Sequence, residues 1–375
     1  MKKRSFYVFI GSKAFFDREL RCLNMFDNAN SFLEIVKLSD NAKESGNPFF
    51  HHATSLVVRN NEYLGIVASA NDRVGPLIEE LTTEDAHICI HNPPRVLLEY
   101  LKEKESRNLI EINIEKEVYE IEKTEEEFAH KVTAIYSHIL GQYEAIDCIC
   151  KSLWYLTLVK RQRPYVIMLY GNSGLGKTEL IRIIAQQFFC GKLLEKHLSM
   201  FKNNNYSEYF FGEDPNRRSL GFDLLERESN LVFFDEIDKC PEHFFSAFYT
   251  LFDNVMFKDA TYDVDISGML IMLTSNYKSE EEIKRQLGEP IFCRIDKFIR
   301  FNDFSKETIH QLVRKELEDR SEEYSDRISL EEVYAIVSHN ILLSGENART
   351  IKFKVQQVIE NLLFDEIKES VRKSL

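Results

Sequence analysis

Lys177 and Thr178 end the run Gly171-Asn-Ser-Gly-Leu-Gly-Lys-Thr178, a set of residue types suited to holding a phosphate chain. An ammonium at Lys177 can neutralise β- and γ-phosphates, and the Thr178 hydroxyl can serve Mg²⁺. Gly171, Gly174 and Gly176 reach backbone angles closed to other residues. The loop can therefore wrap with the N–H groups of Asn172, Ser173 and Leu175 turned inward, and Glu179 enters the helix whose N-terminus adds partial positive charge. The match to G-x-x-x-x-G-K-[ST] is complete. Further along, Asp235 and Glu236 are adjacent carboxylates whose roles can differ. The first can hold Mg²⁺ through its water, and the second can orient and deprotonate an attacking water. Asn276 has an amide suited to placing the same water or touching a γ-phosphate.

Such groups need rigid elements to aim them. Tyr165–Tyr170 is apolar throughout and reads as a buried strand leading into the glycine loop, and Glu179-Leu-Ile-Arg-Ile-Ile opens an amphipathic helix after it. Leu231–Phe234 and Met269–Leu273 are two more buried strands, ending at Asp235-Glu236 and at Thr274-Ser275-Asn276. In a parallel sheet the carboxyl edge is where ligands bind. Residues from about 303 onward carry helical periodicity without comparable strands, which predicts a small α-domain.

Residues 1–120 alternate short apolar runs with amphipathic stretches and read as a separate small α/β domain. Strands are expected at Phe6–Ile10, Ser55–Arg59, Tyr63–Ala68, His87–His91 and Leu109–Ile114, with one face of the last exposed to water. Asn92-Pro93-Pro94 can start a helix through Leu97 and Leu101. His51-His52 and the His87/His91 pair have no carboxylate or cysteine cluster to complete a metal site, and read as structural or surface residues. A charged connector, Glu115 to Glu127, follows. Thr124 with Glu127 predicts a capping box, and Phe128, Val132, Ile135 and Ile139 recur at helical spacing. A second helix through Trp154 and Leu158 should end before Arg163-Pro164.

The chain has 375 residues, 44% hydrophobic and 29% charged, with a net charge of −13. That is an ordinary globular composition with room for two or three domains. The acidic balance argues against nucleic acid as a partner. Seven cysteines without CxxC spacing point to reduced thiols rather than disulfides or zinc. The apolar run after Lys2-Lys3-Arg4 ends at Gly11, too short for a signal segment and better read as a strand. No apolar stretch is long enough to span a bilayer, so the expectation is a cytoplasmic protein with no membrane partner.

From about residue 135 onward the chain resembles an AAA+ ATPase of the Clp clade, in particular the C-terminal ATPase module of Clp-type unfoldases and disaggregases. Ile139-Leu140-Gly-Gln-Tyr-Glu-Ala-Ile is similar to the family's adenine-side element. Gly171–Leu180 resembles its Walker A, Asp235-Glu-Ile-Asp-Lys239 its Walker B, and Thr274-Ser-Asn276 its sensor 1. Phe292-Cys-Arg294-Ile-Asp296 resembles the arginine-finger segment and Asn347-Ala-Arg349 the lid's sensor 2, with Asn347 where a glycine is usual. The resemblance implies a three-layer α/β/α P-loop domain with a parallel sheet over residues 135–302, entered by a connector helix starting in 121–134. A small α-helical lid would occupy 303–375. ATP and Mg²⁺ are the implied cofactors, with Ile139, Leu140, the loop 171–179 and Arg349 on the nucleotide and Thr178 and Asp235 on the metal. Glu236, Asn276 and Arg294 would be catalytic, with Arg294 reaching a neighbouring subunit's γ-phosphate in a homo-oligomer, usually a ring of six. The function so implied is ATP-driven remodelling of a protein partner recognised through residues 1–120. The alternative is a nucleotide-gated switch or scaffold. One departure bears on this choice: where the unfoldases carry an aromatic pore loop, this chain has Gly212-Glu-Asp-Pro-Asn-Arg-Arg-Ser-Leu-Gly221. Such a loop offers no apolar grip, and torsins of the same clade also lack that aromatic.

Overall fold

The computed structural model describes residues 3–46, 52–66, 72–119, 124–201, 205–214, 216–324, 327–340 and 345–374. Among the described residues, two five-stranded parallel sheets, a small hairpin and a helical C-terminal unit are found. The first sheet holds β1 (Ser5–Ile10), β2 (Asn30–Ser31), β3 (Ala53–Val58), β4 (Thr82–His91) and β5 (Glu111–Lys116). The second holds β6 (Tyr165–Tyr170), β7 (Leu194–His197), β8 (Leu231–Asp235), β11 (Leu270–Ser275) and β12 (Lys297–Arg300). Between β8 and β11 in the chain, β9 (Met256–Lys258) and β10 (Asp263–Asp265) form an antiparallel hairpin.

The two large sheets share one strand order. The first runs β2-β3-β4-β1-β5 and the second β7-β8-β11-β6-β12, so each reads second, third, fourth, first, fifth along its own stretch of chain. In both, the first and fourth strands are neighbours whose following connections leave in opposite directions, which opens a crevice beyond their carboxyl ends. β6, β8 and β11 are buried on both faces, as their unbroken apolar runs require. Separate cores lie within residues 6–110, within 128–301 and, for the C-terminal helices, within 309–359.

Residues 63–66 depart from expectation. Asn60–Gly65 is a 3₁₀ helix instead of a strand, and residues 67–68 lie outside the described set. Glu62 turns back to accept the Arg59 amide at 2.8 Å, while Asn60 is held by Glu226 at 2.8 Å and by the Tyr262 hydroxyl at 3.3 Å. Buried polar contacts thus override the β-forming residues. β5 sits two residues later than expected and pairs only with β1, and as an edge strand it leaves Ile114 exposed. The helix Glu125–His138 forms as expected, but Thr124 Oγ1 donates to Glu127 Oε2 at 2.8 Å and does not accept from the backbone. His91 is buried, stacked on Phe16 at 4.5 Å and bonded to Gly11 O at 2.9 Å, so its role is structural. His52 and His87 are exposed, and His51 lies outside the described residues.

The first sheet docks its carboxyl edge on the second unit. Arg95 pairs with Asp263 at 3.1 Å and its amide donates to Thr261 O at 2.9 Å, joining the start of the helix Arg95–Ser106 to the β9–β10 hairpin. Tyr119 donates to Arg227 O at 2.8 Å and lies under that residue's guanidinium, and His91 Nδ1 is 3.7 Å from Glu226 Oε1. Asn216, inside the loop 212–221, donates to Leu64 O at 3.0 Å and Ile66 O at 2.6 Å.

Candidate active site

The carboxyl ends of β6, β8 and β11 meet in a cleft of about 1060 Å³. Its floor is the loop after β6, which leads into the helix Lys177–Phe188. Gly171, Gly174 and Gly176 all take positive φ (135°, 77° and 95°), as a loop folded around an anion requires. Lys177 is only 7% exposed, and its ammonium donates to Gly171 O and Asn172 O at 2.8 Å and to Asn276 Oδ1 at 3.4 Å. Burial pulls its pKa down to about 8, against the opposing charges of Asp238 and Asp235. The ammonium is under-compensated in this setting, which favours an incoming anion.

β8 delivers both carboxylates to the cleft, by different backbone routes. Asp235 ends the strand and faces Thr178, whose hydroxyl lies 3.4 Å from Asp235 Oδ1. Glu236 then takes left-handed angles (φ 59°, ψ 52°), unusual for a residue with a side chain. Its amide donates to Thr274 Oγ1 at 3.0 Å, and the Thr274 hydroxyl donates to Asp235 Oδ1. One threonine from β11 therefore fixes both acids, and the strained turn swings Glu236 into the cleft it lines. The Asn276 amide N–H is 3.3 Å from Asp238 Oδ1. Thr178 and Asp235 are hard oxygen donors side by side, which fits an octahedral dication holding most of its own waters.

Ile139, Leu140, Ile183, Phe304 and Leu312 supply an apolar part of the cleft lining. Gln142 anchors that wall through Asn302, donating to its O at 2.9 Å and accepting its N–H at 3.3 Å. From the C-terminal helices, Ala348 N donates to Gly174 O at 3.0 Å and Arg349 Nη1 lies 3.4 Å from Ser173 Oγ. Asn347 caps this helix, accepting from the amides of Arg349 at 2.9 Å and Thr350 at 3.0 Å. That gives a physical reason for an asparagine at this position.

Residues 162–330 match the family model described as "AAA domain (Cdc48 subfamily)". This stretch is an AAA+ domain of the Clp clade. Among relatives, the chaperone protein ClpB 1 of Synechococcus elongatus is 24% identical over 337 residues, covering 80% of this chain and 36% of the relative. The ClpB of Dichelobacter nodosus is 24% identical over 279 residues (65% and 32%), and ClpB 1 of Thermosynechococcus vestitus 22% over 241 residues (55% and 27%). The matched part thus spans only about a third of these relatives' length.

In this Clp-type domain one cleft gathers Lys177, Thr178, Asp235, Glu236, Asn276 and Arg349 together with Ile139 and Leu140. Arg294 is absent from the lining. It pairs with Asp253 at 3.1 Å, donates to Pro290 O at 2.7 Å and lies over Tyr249. Sequence reasoning gave no role to Thr274, His197, Asp238, Lys315 or Lys352, of which all but Asp238 line the cleft. A threonine ending the strand beside the Asp-Glu pair was the available signal for the first. Among the described residues the cysteines are free, and no helix is long and apolar enough to cross a membrane.

Proposed function

We propose that this chain binds Mg·ATP in the cleft, hydrolyses it, and uses the change to remodel a protein partner held by residues 1–120. The observation that carries the reading is the convergence of Lys177, Thr178, Asp235, Glu236 and Asn276 from three strand ends on one phosphate-sized loop. Lys177 and the loop amides bind the phosphates, and Thr178 and Asp235 hold Mg²⁺, which neutralises charge building on them. Glu236 takes the proton of the attacking water, which Asn276 helps to place. Arg349 ties the lid, residues 303–375, to the phosphates, so phosphate loss moves the lid against the large domain, 135–302. Arg294, held outside its own cleft, serves the neighbouring subunit's γ-phosphate in a ring.

The remodelling proceeds without threading the partner through a pore, because the arginines of the loop 212–221 are engaged within the chain. Arg217 pairs with Glu208 at 2.6 Å and with Asp214 at 3.4 Å, and Arg218 covers Phe222. The Asn216 contacts to Leu64 and Ile66 tie this loop to the N-terminal unit. The same contacts favour a second reading, a nucleotide-gated switch in which hydrolysis times the release of the N-terminal unit. Turnover of ATP should be measured alongside capture of partners by Glu236→Gln in ATP. Turnover stimulated by the captured protein supports remodelling, ATP-dependent assembly with little turnover supports the switch, and absence of ATP binding removes both.

A further inference from the structure

β7 is the edge strand of the second sheet and runs parallel to β8, with His197 opposite Asp235 in the register. Side chains alternate along a strand, so Glu195 and His197 share one face at its carboxyl end. His197 Nδ1 lies 3.2 Å from Asp235 Oδ2 and Nε2 lies 3.3 Å from Glu195 Oε1. One ligand atom from each of the three residues falls within 4.8 Å of the others. Two ligands on one metal, at bonds of about 2.1 Å, sit about 3.4 Å apart in a tetrahedral site. Each imidazole nitrogen faces a different carboxylate here, so a cation requires the ring to turn until one nitrogen and both carboxylate oxygens face a common centre.

We infer that Glu195, His197 and Asp235 form a second divalent-cation site, for a metal of mixed nitrogen and oxygen preference such as Mn²⁺, next to the Thr178/Asp235 position. The two positions use different oxygens of one carboxylate. Oδ1 faces Thr178 and Thr274, while Oδ2 faces His197. Glu195 is also paired with Arg182 at 2.9 Å, and that guanidinium competes with a cation for it. His197 lines the cleft, so an ion reaches the site from solvent. Once bound, it draws on the charge of Asp235 and alters the metal dependence of the neighbouring position.

The test uses the full chain without nucleotide, so its outcome is separate from that of the ATP reading. Mn²⁺ is the probe because Cys22, Cys190 and Cys293 are exposed and would compete for a thiophilic metal. The expected result is one bound Mn²⁺ whose pulsed electron-spin spectrum carries imidazole ¹⁴N modulation. Labelling histidine with ¹⁵N should change that modulation without any substitution, and His197→Ala should remove it. Glu195→Gln should weaken binding about tenfold or more, whereas Arg182→Ala should tighten it severalfold. The Thr178/Asp235 position offers only oxygen. Bound Mn²⁺ without nitrogen modulation, modulation that survives His197→Ala, no Mn²⁺ binding, or an affinity unmoved by both Glu195→Gln and Arg182→Ala would each overturn the site.

Discussion

Asn347 stands against Gly174: a β-carbon on the glycine would fall 2.7 Å from the Asn347 side chain, and Gly174 holds φ at +77°. The start of the last helix is thus seated directly on the glycine loop 171–178 with no room for even a methyl group. Gly174→Ala should lift the lid's first turn and strain the loop, each a cost of about 1 kcal/mol or more. ATP affinity should fall at least tenfold, and the amides of residues 348–351 should exchange hydrogen faster. Unchanged affinity together with unchanged exchange would show that the contact is slack.

Lys177 should dominate binding. Its ammonium is held among backbone oxygens in a nearly buried site, and Lys177→Ala should cost about 2–5 kcal/mol of ATP affinity. It should also leave no nucleotide bound elsewhere in the chain. The matching crevice of the first sheet is filled from within, since Glu117 accepts from Ser12 N at 2.6 Å and Ser12 Oγ at 3.1 Å at the start of the helix Lys13–Cys22. Calorimetry should give one ATP per chain in the wild type and none in the variant. A second stoichiometric site would contradict this.

Glu236→Gln should bind Mg·ATP with near-normal affinity and hydrolyse it at least ~10²-fold more slowly, as for loss of a positioned base. Thr274→Val should impair both acids at once, because its hydroxyl contacts Asp235 and accepts the Glu236 amide at 3.0 Å. The expected signature is slower turnover combined with a higher Mg²⁺ requirement. A change in neither would place the orientation of the acids elsewhere.

Arg294 should act between subunits. Specific activity should rise with protein concentration, and inactive Arg294→Ala mixed with inactive Glu236→Gln should recover some turnover. An intact arginine from one chain then faces an intact base on another. Verified mixed oligomers without rescue would count against this role.

Loosening the docked edge should change behaviour without touching the cleft. Glu226→Ala removes the partner of Asn60 and the neighbour of His91, and Asn216→Ala frees the loop 212–221. Together they should increase hydrogen exchange around residues 60–66 and 212–221 and alter ATP turnover severalfold. A stably folded reporter recruited through residues 1–120 should keep its fold in ATP. Loss of that fold, abolished by Glu236→Gln, would show that the chain threads its substrate.

The sequence alone determined the glycine loop 171–178, the paired acids and the strand ends bearing them. Those features depend on consecutive residues: glycines where φ is positive, and unbroken apolar runs where a strand is buried on both faces. Tertiary structure decided what depends on pairing across distance. The strand order common to both sheets comes from contacts between segments far apart in the chain, and no local period encodes it. His197 entered the cleft only because β7 pairs with β8, and Thr274 took charge of both acids because β11 lies beside the same strand. Tyr63–Ala68 reads as a strand, yet Tyr63, Leu64 and Gly65 close the 3₁₀ turn Asn60–Gly65. There, hydrogen bonds to Glu226 and Tyr262, more than 160 residues away, outweighed local preference.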